Sequence, residues 1–178
     1  MKERSDEVVP FDKEVFGNKV HERYLGYRGE LQRTTDKKTE LFIQLNYFQS
    51  CLEDSMEYLL KTEEARDIPQ GTIIRILSAR EILTSIQAKD AMKINKIRNI
   101  CAHNFHDPSL ETKAKEKIEE VKQDFTRGCI LYDGPHHPTP EQMQKYYHGW
   151  DMFQKLDFII HDLILNIKFN VLNSKDYG

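Results

Sequence analysis

No stretch of this sequence is apolar and uncharged over the ~20 residues that a membrane span requires. None near its first residue has the apolar core of a secretion signal, so a soluble protein is expected. Cysteine is scarce: the chain has three, Cys51, Cys101 and Cys129. They are odd in number and widely spaced, which excludes a disulfide scaffold, and two fall within apolar helical patterns. Reduced thiols and a cytoplasmic location follow. Internal repeats, low-complexity tracts and a glycine-rich phosphate loop are all missing, which argues against nucleoside triphosphate chemistry. Positive charge is not in excess either, with 26 basic against 29 acidic residues. Contact with nucleic acid would therefore have to come from a local patch rather than a global field. Alternating apolar and polar positions, the mark of a half-buried strand, are not found. With 178 residues there is material for one well-cored domain and hardly for two.

What is present is chemistry concentrated in one stretch, Lys96-Ile97-Arg98-Asn99-Ile100-Cys101-Ala102-His103. On a helical wheel Ile94, Ile97 and Cys101 fall within about 60° of one another, so one stripe is core. Asn99 lies opposite that stripe, and Arg98 and His103 flank Asn99. Arg98 is a permanent cation whose planar fork of donors suits a phosphodiester. His103 is the side chain able to give or take a proton near neutral pH. RNA strand scission needs only these when the RNA's own 2′-hydroxyl attacks: a proton is moved and charge on the phosphoryl oxygens is stabilised. Such cleavage uses both a base and an acid, which two copies of the helix across a two-fold axis would supply, so a homodimer is expected. A structural reading stands beside this one, because a cation and a histidine near a helix C-terminus also suit the macrodipole.

The Arg98-Asn99-x-x-x-His103 pattern resembles the signature of the HEPN superfamily, compact helical domains named for higher eukaryotes and prokaryotes nucleotide binding. The wider frame, Ile76-Leu77-Ser78-Ala79-Arg80-Glu81-Ile82-Leu83 followed by the motif, is similar to the mannitol-operon-repressor-like branch, over roughly residues 70 to 125. The resemblance implies a metal-independent endoribonuclease that leaves 2′,3′-cyclic phosphate ends, with a composite site at a homodimer interface. His103 and Arg98 would be catalytic and Asn99 would support them. A toxin or phage-defence role would bring an antitoxin or regulatory protein as a further partner. The repressor-like branch implies the alternative, a catalytically silent dimeric regulator.

Along the chain, residues 1–35 read as a partly ordered arm, in which Gly26 and Gly29 interrupt any long helix around Tyr27. Residues 36–173 read as one all-α, up-and-down bundle of four to five helices, and 174–178 as a tail. Within the bundle, a helix from Asp36 buries Leu41, Leu45, Phe48, Leu52, Met56 and Leu59, leaving Asp54, Glu57 and Lys61 as a solvated row. A second helix runs from Thr72 to about Ala88, burying Ile73, Ile76, Leu77, Leu83 and Ile86. Arg80 on it is a candidate phosphate contact if the helices pack antiparallel; a surface ion pair is the alternative. The motif helix spans about Asp90 to Asn104, followed by His106, a second candidate substrate contact in a loop.

Ser109 begins a fourth helix, closed by Arg127 and Gly128. The loop Cys129–Pro138 carries His136 and His137; their spacing to Cys101, His103 and His106 matches no common zinc pattern, so no metal and no cofactor is expected. Thr139-Pro140-Glu141-Gln142 is a capping box opening a long helix to Asn173, with Gly149 as a bend.

Overall fold

The computed structural model describes residues 13–103, 106–121 and 139–174. Among them there are seven α-helices, one 3-10 turn and no strand. The all-α expectation holds, but the count exceeds the expected four to five. The helices are α1 (Lys13–Arg33), α2 (Lys37–Leu60), α3 (Gln70–Ala79), α4 (Ser85–His103), α5 (Leu110–Glu119), α6 (Pro140–Gly149) and α7 (Met152–Asn173), with the 3-10 turn Glu63–Asp67 between α2 and α3.

Gly26 and Gly29 do not break the chain; α1 runs through both. A helical glycine costs roughly 1 kcal/mol against alanine. The stripe Phe16, Val20, Tyr24, Tyr27 and Leu31, at steps of four, four, three and four, outweighs two such costs, since each large apolar side chain taken out of water returns about 1.5–3 kcal/mol. Phe16, Val20 and Tyr27 are buried in the same core as the rest of the helices. Residue 35 is therefore no boundary between an arm and a body.

α1 and α2 form an antiparallel hairpin, as the register of their contacts shows. Lys19 pairs with Asp54 and Glu57, Arg23 with Asp54, and the rings of Tyr27 and Tyr47 stack at 4.3 Å and 7°. Asp54 and Glu57, expected in a solvated row, are buried. Four cationic contacts surround them, from Lys19 to both, from Arg23 to Asp54, and from Arg66 to Glu57 at 2.9 Å. Burial alone would lower the Lys19 ammonium, yet the hydrogen bonds to Asp54 and Glu57 outweigh it and leave it raised. α2 otherwise follows its sequence. Asp36 caps it by accepting from the Thr39 N–H at 2.8 Å, and Leu41, Leu45, Phe48, Leu52 and Met56 are fully buried.

α7 packs along α2 and α1, and polar ties at its flanks hold it to α2 and to the turn between α3 and α4. Gln44 donates to the Phe153 carbonyl at 3.1 Å, and Asn170 to the Ile82 carbonyl at 2.7 Å. The long C-terminal helix is two helices: the chain turns at Gly149–Asp151, where Asp151 and Gln154 make a second capping box. The predicted capping box of Thr139 and Gln142, with Pro140 in the first turn, opens α6.

The second helix is also shorter than its apolar pattern. It ends at Ala79, with Arg80 as its C-cap and Glu81 in the left-handed region at φ 59°. The reason is a local competitor, Thr84 and Gln87. The Thr84 N–H donates to the Gln87 side chain at 3.0 Å and the Gln87 N–H to the Thr84 hydroxyl at 3.3 Å, a reciprocal cap that starts a new helix. Ile86, expected in the core, is consequently 60 % exposed, and the motif helix begins at Ser85 rather than Asp90.

Candidate functional site

α4 carries the motif on an amphipathic frame. Gln87, Asp90, Ala91, Ile94, Asn95, Ile97 and Cys101 are buried, against α2, α3 and α5. Asn99 and His103 are exposed and Arg98 is half-buried at the edge of the core stripe. The wheel placed Asn99 opposite Ile94, Ile97 and Cys101, and that is where the helix holds it. Among the described residues, no side-chain hydrogen bond or ion pair engages Arg98, Asn99 or His103. The three groups are thus presented rather than consumed by the fold. Cys101 is different: it is fully buried, and that burial pushes its thiol up to about 11. With Cys51, likewise buried, it is a free thiol, silent at neutral pH.

α3 packs antiparallel on α4 with Gly71 beside Asn95 and Met92, where an added Cβ would make ordinary contacts of 3.4 Å with the Asn95 amide and 3.7 Å with Met92. This packing leaves a cleft of about 620 Å³ between the two helices, lined from α3 by Ile74, Arg75, Ser78 and Ala79 and from α4 by Ala88, Lys89, Met92, Lys93 and Lys96. On a helix, positions 92, 96, 99 and 103 follow one another at steps of four, three and four, so they share a face. Asn99 and His103 therefore continue the α4 wall of the cleft, with His103 about 10 Å along the axis from Lys96. Lys93 is occupied, bonded to the Asp90 carboxylate at 3.0 Å and to the Glu120 carbonyl. Arg75, Lys89 and Lys96 are exposed and make no salt bridge among the described residues. The Glu120 carboxyl at the rim lies below its usual range, held there first by Lys117.

The other sequence candidates are arranged differently. Arg80 is exposed and closes α3 beside the start of α4, while His103 sits at the opposite end, about 27 Å along the helix axis. The α3 cation that faces α4 is Arg75. Sequence reasoning missed the row Lys89, Lys93 and Lys96, although its spacing of four and three residues was a readable signal.

His106 is exposed in the turn after α4. The neighbouring Asp107 ties that turn together: it accepts from the Ser109 N–H at 2.8 Å, the Ser109 hydroxyl at 2.7 Å and the Lys113 ammonium at 2.6 Å. Its carboxyl is held well below the usual carboxylate range, chiefly by Lys113. Ser109 makes no side-chain cap to α5, so the anchor of that helix start is Asp107. Asn104, Arg127, Gly128 and the His136-His137 loop lie outside the described residues. Among the described residues no three His, Cys, Asp or Glu side chains converge as metal ligands, and no helix is long and apolar enough to cross a membrane.

Compared with protein-family models, with curated proteins and with solved structures, the chain matches none of them.

Proposed function

We propose that this protein is a metal-independent endoribonuclease of HEPN type, acting as a homodimer whose two α4 helices line one cleft. The observation that carries this reading is the exposed, unengaged His103 on the same helix face as Asn99 and the Lys96 end of a cationic cleft. The resemblance of Arg98-Asn99-x-x-x-His103 to the HEPN signature supports it. Arg75, Lys89 and Lys96 give a chain of net charge −3 the local positive patch that RNA contact requires.

In the proposed reaction the imidazole of His103 from one copy takes the proton of a ribose 2′-hydroxyl. The 2′-oxygen attacks the adjacent phosphorus, the bond to the 5′-oxygen breaks, and His103 of the second copy supplies the proton that this oxygen needs. Arg98 faces the phosphoryl oxygens and stabilises the charge that builds there, while Asn99 orients the scissile nucleotide or the imidazole. The products are a 2′,3′-cyclic phosphate and a free 5′-hydroxyl. A toxin or defence effector held by an antitoxin is the corresponding cellular role, in the cytoplasm.

The test is incubation of the purified chain with end-labelled single-stranded RNA in EDTA. The proposal expects cleavage with 2′,3′-cyclic ends; RNA left intact under all conditions, with the protein folded and dimeric, contradicts it. That negative outcome belongs to the second reading, a silent dimeric regulator, which one observation favours: Arg98 is half-buried at the core margin and so can serve packing.

A further inference from the structure

The antiparallel packing of α1 on α7 leaves a second cavity, of about 380 Å³, away from the motif helix. Tyr24 of α1, Trp150 from the turn before α7 and Phe158 of α7 form its walls. Trp150 and Phe158 stand 5.4 Å apart at 58°, and Tyr24 meets His161 at 5.0 Å and 45°. All four rings are only half-buried, so part of their surface remains for something else to cover.

The polar side of the cavity is specific. Arg28 reaches one oxygen of Asp157 at 3.3 Å, and the Tyr27 hydroxyl donates to the other. An ionised carboxylate has about four acceptor sites, so two are left over. His161 adds a donor and an acceptor. Burial lowers its pKa, more than the nearby Asp157 raises it, which leaves a neutral ring with one protonated nitrogen. Its ring nitrogens bond to no described residue and are not sealed from solvent.

These groups discriminate between ligand classes. A simple cation gains from the rings and from Asp157 but is repelled by Arg28, which already occupies one oxygen of that carboxylate. An aliphatic acid gains from Arg28 but meets Asp157 and leaves the rings idle. A flat heterocycle with adjacent N–H donors and an acceptor on its edge uses the rings, Asp157 and Arg28 together. The volume lies at the lower end of the roughly 300–1,000 Å³ range of small-ligand sites, which fits one nucleoside. Base stacking on aromatic side chains contributes at the level measured for single-stranded binders, and purines offer the larger face.

We propose that this cavity binds a purine base of guanine type, stacked against Trp150 and Phe158, with its ring N–H and amino group on Asp157 and its acceptor edge toward Arg28. This site is independent of the ribonuclease reading.

Trp150 is the single tryptophan of the chain, so it reports on the cavity alone. Its fluorescence is titrated with guanosine, adenosine and cytidine, then with GMP and with hexaribonucleotides containing or lacking one guanine. The expected result is saturable quenching by guanosine, at least tenfold weaker affinity for adenosine and for cytidine, and at least a tenfold loss of guanosine affinity in Asp157→Asn. Quenching by the guanine-containing hexamer identifies a base in a strand as the source, and quenching by the nucleoside and GMP alone identifies a free ligand. Should Asp157→Asn fail to fold, Arg28→Ala decides, with a weakened response to guanosine expected. Quenching that rises linearly without saturation, equal response to guanosine and cytidine, or unchanged affinity in the folded variants overturns the proposal.

Discussion

Asp54, with 1 % of its side chain exposed, is held from across the α1–α2 interface by the guanidinium of Arg23, whose Nη2 donates to Oδ1 at 3.0 Å while Nε donates to Oδ2. The two residues are 31 positions apart in the chain, and Lys19 approaches the same carboxylate at 2.8 Å. Removing one member of a buried pair leaves the other uncompensated. Asp54→Ala should therefore destabilise the protein by about 3 kcal/mol in chemical denaturation, the lower part of the range for such losses because Lys19 and Arg23 are about one-third exposed. A change below about 0.5 kcal/mol, the level of an exposed ion pair, would show that the cluster does not hold α1 in place.

Lys61 ends α2 in the left-handed region at φ 52°, its N–H donating to the Glu57 carbonyl. That conformation suits glycine and costs a residue bearing Cβ about 1 kcal/mol. Lys61 is exposed, so nothing else is lost on substitution. Lys61→Gly should raise the denaturation midpoint, by an amount worth about 0.5–1 kcal/mol; a lowered midpoint contradicts the cap geometry.

His161 gives the fold a dependence on mild acid. Desolvation lowers its pKa in the folded chain, against about 6.5 when unfolded. The groups facing it are Tyr24 and Arg28 from α1 and Asp157 from its own helix. Between the folded and unfolded values the unfolded chain binds more protons, so stability rises with pH there and is lost as pH falls below about 6.5. His161→Gln should flatten the stability profile between about pH 7 and pH 5. The parent's slope persisting unchanged in the variant would place the titrating group elsewhere.

The cleft makes an electrostatic prediction. If Lys89 and Lys96 each contact a phosphate of a single strand, Lys89→Glu and Lys96→Glu should each weaken RNA binding, and each should reduce the slope of log affinity against log salt by about 0.7. Fluorescence anisotropy with a labelled oligoribonucleotide at several salt concentrations measures this. Slopes equal to that of the parent would remove the cleft from the RNA path.

The parts of this fold legible in the sequence were those governed by neighbours three and four residues away. The apolar ladder Leu41, Leu45, Phe48, Leu52 and Met56 stands where periodicity put it, and the Thr139–Gln142 box opens a helix where its residue types called for one. The exposed face of Asn99 and His103 likewise stands where periodicity put it. What was not legible depended on distant partners. Asp54 and Glu57 look solvated on their own helix and are buried because Lys19 and Arg23 arrive from another. Gly26 and Gly29 look like breaks, and α1 continues because Tyr27 stacks on Tyr47. The stop at Arg80 was readable in retrospect from Thr84 and Gln87, but an apolar pattern continuing through Leu83 and Ile86 masked it. At the candidate site the motif was visible, whereas the cleft required knowing that α3 sets Arg75 against Lys89 and Lys96.

The role of the His103 imidazole is measured most directly by the single-turnover rate of RNA cleavage in EDTA by the parent and by His103→Ala, with folding and dimerisation checked on the same samples. His103 is exposed at the end of α4 and supports no other side chain among the described residues, so the variant should remain folded. General acid–base catalysis by one positioned side chain contributes roughly 10²–10⁴-fold. A rate loss of that size in a folded dimer is the predicted result, and a variant that cuts as fast as the parent contradicts the account.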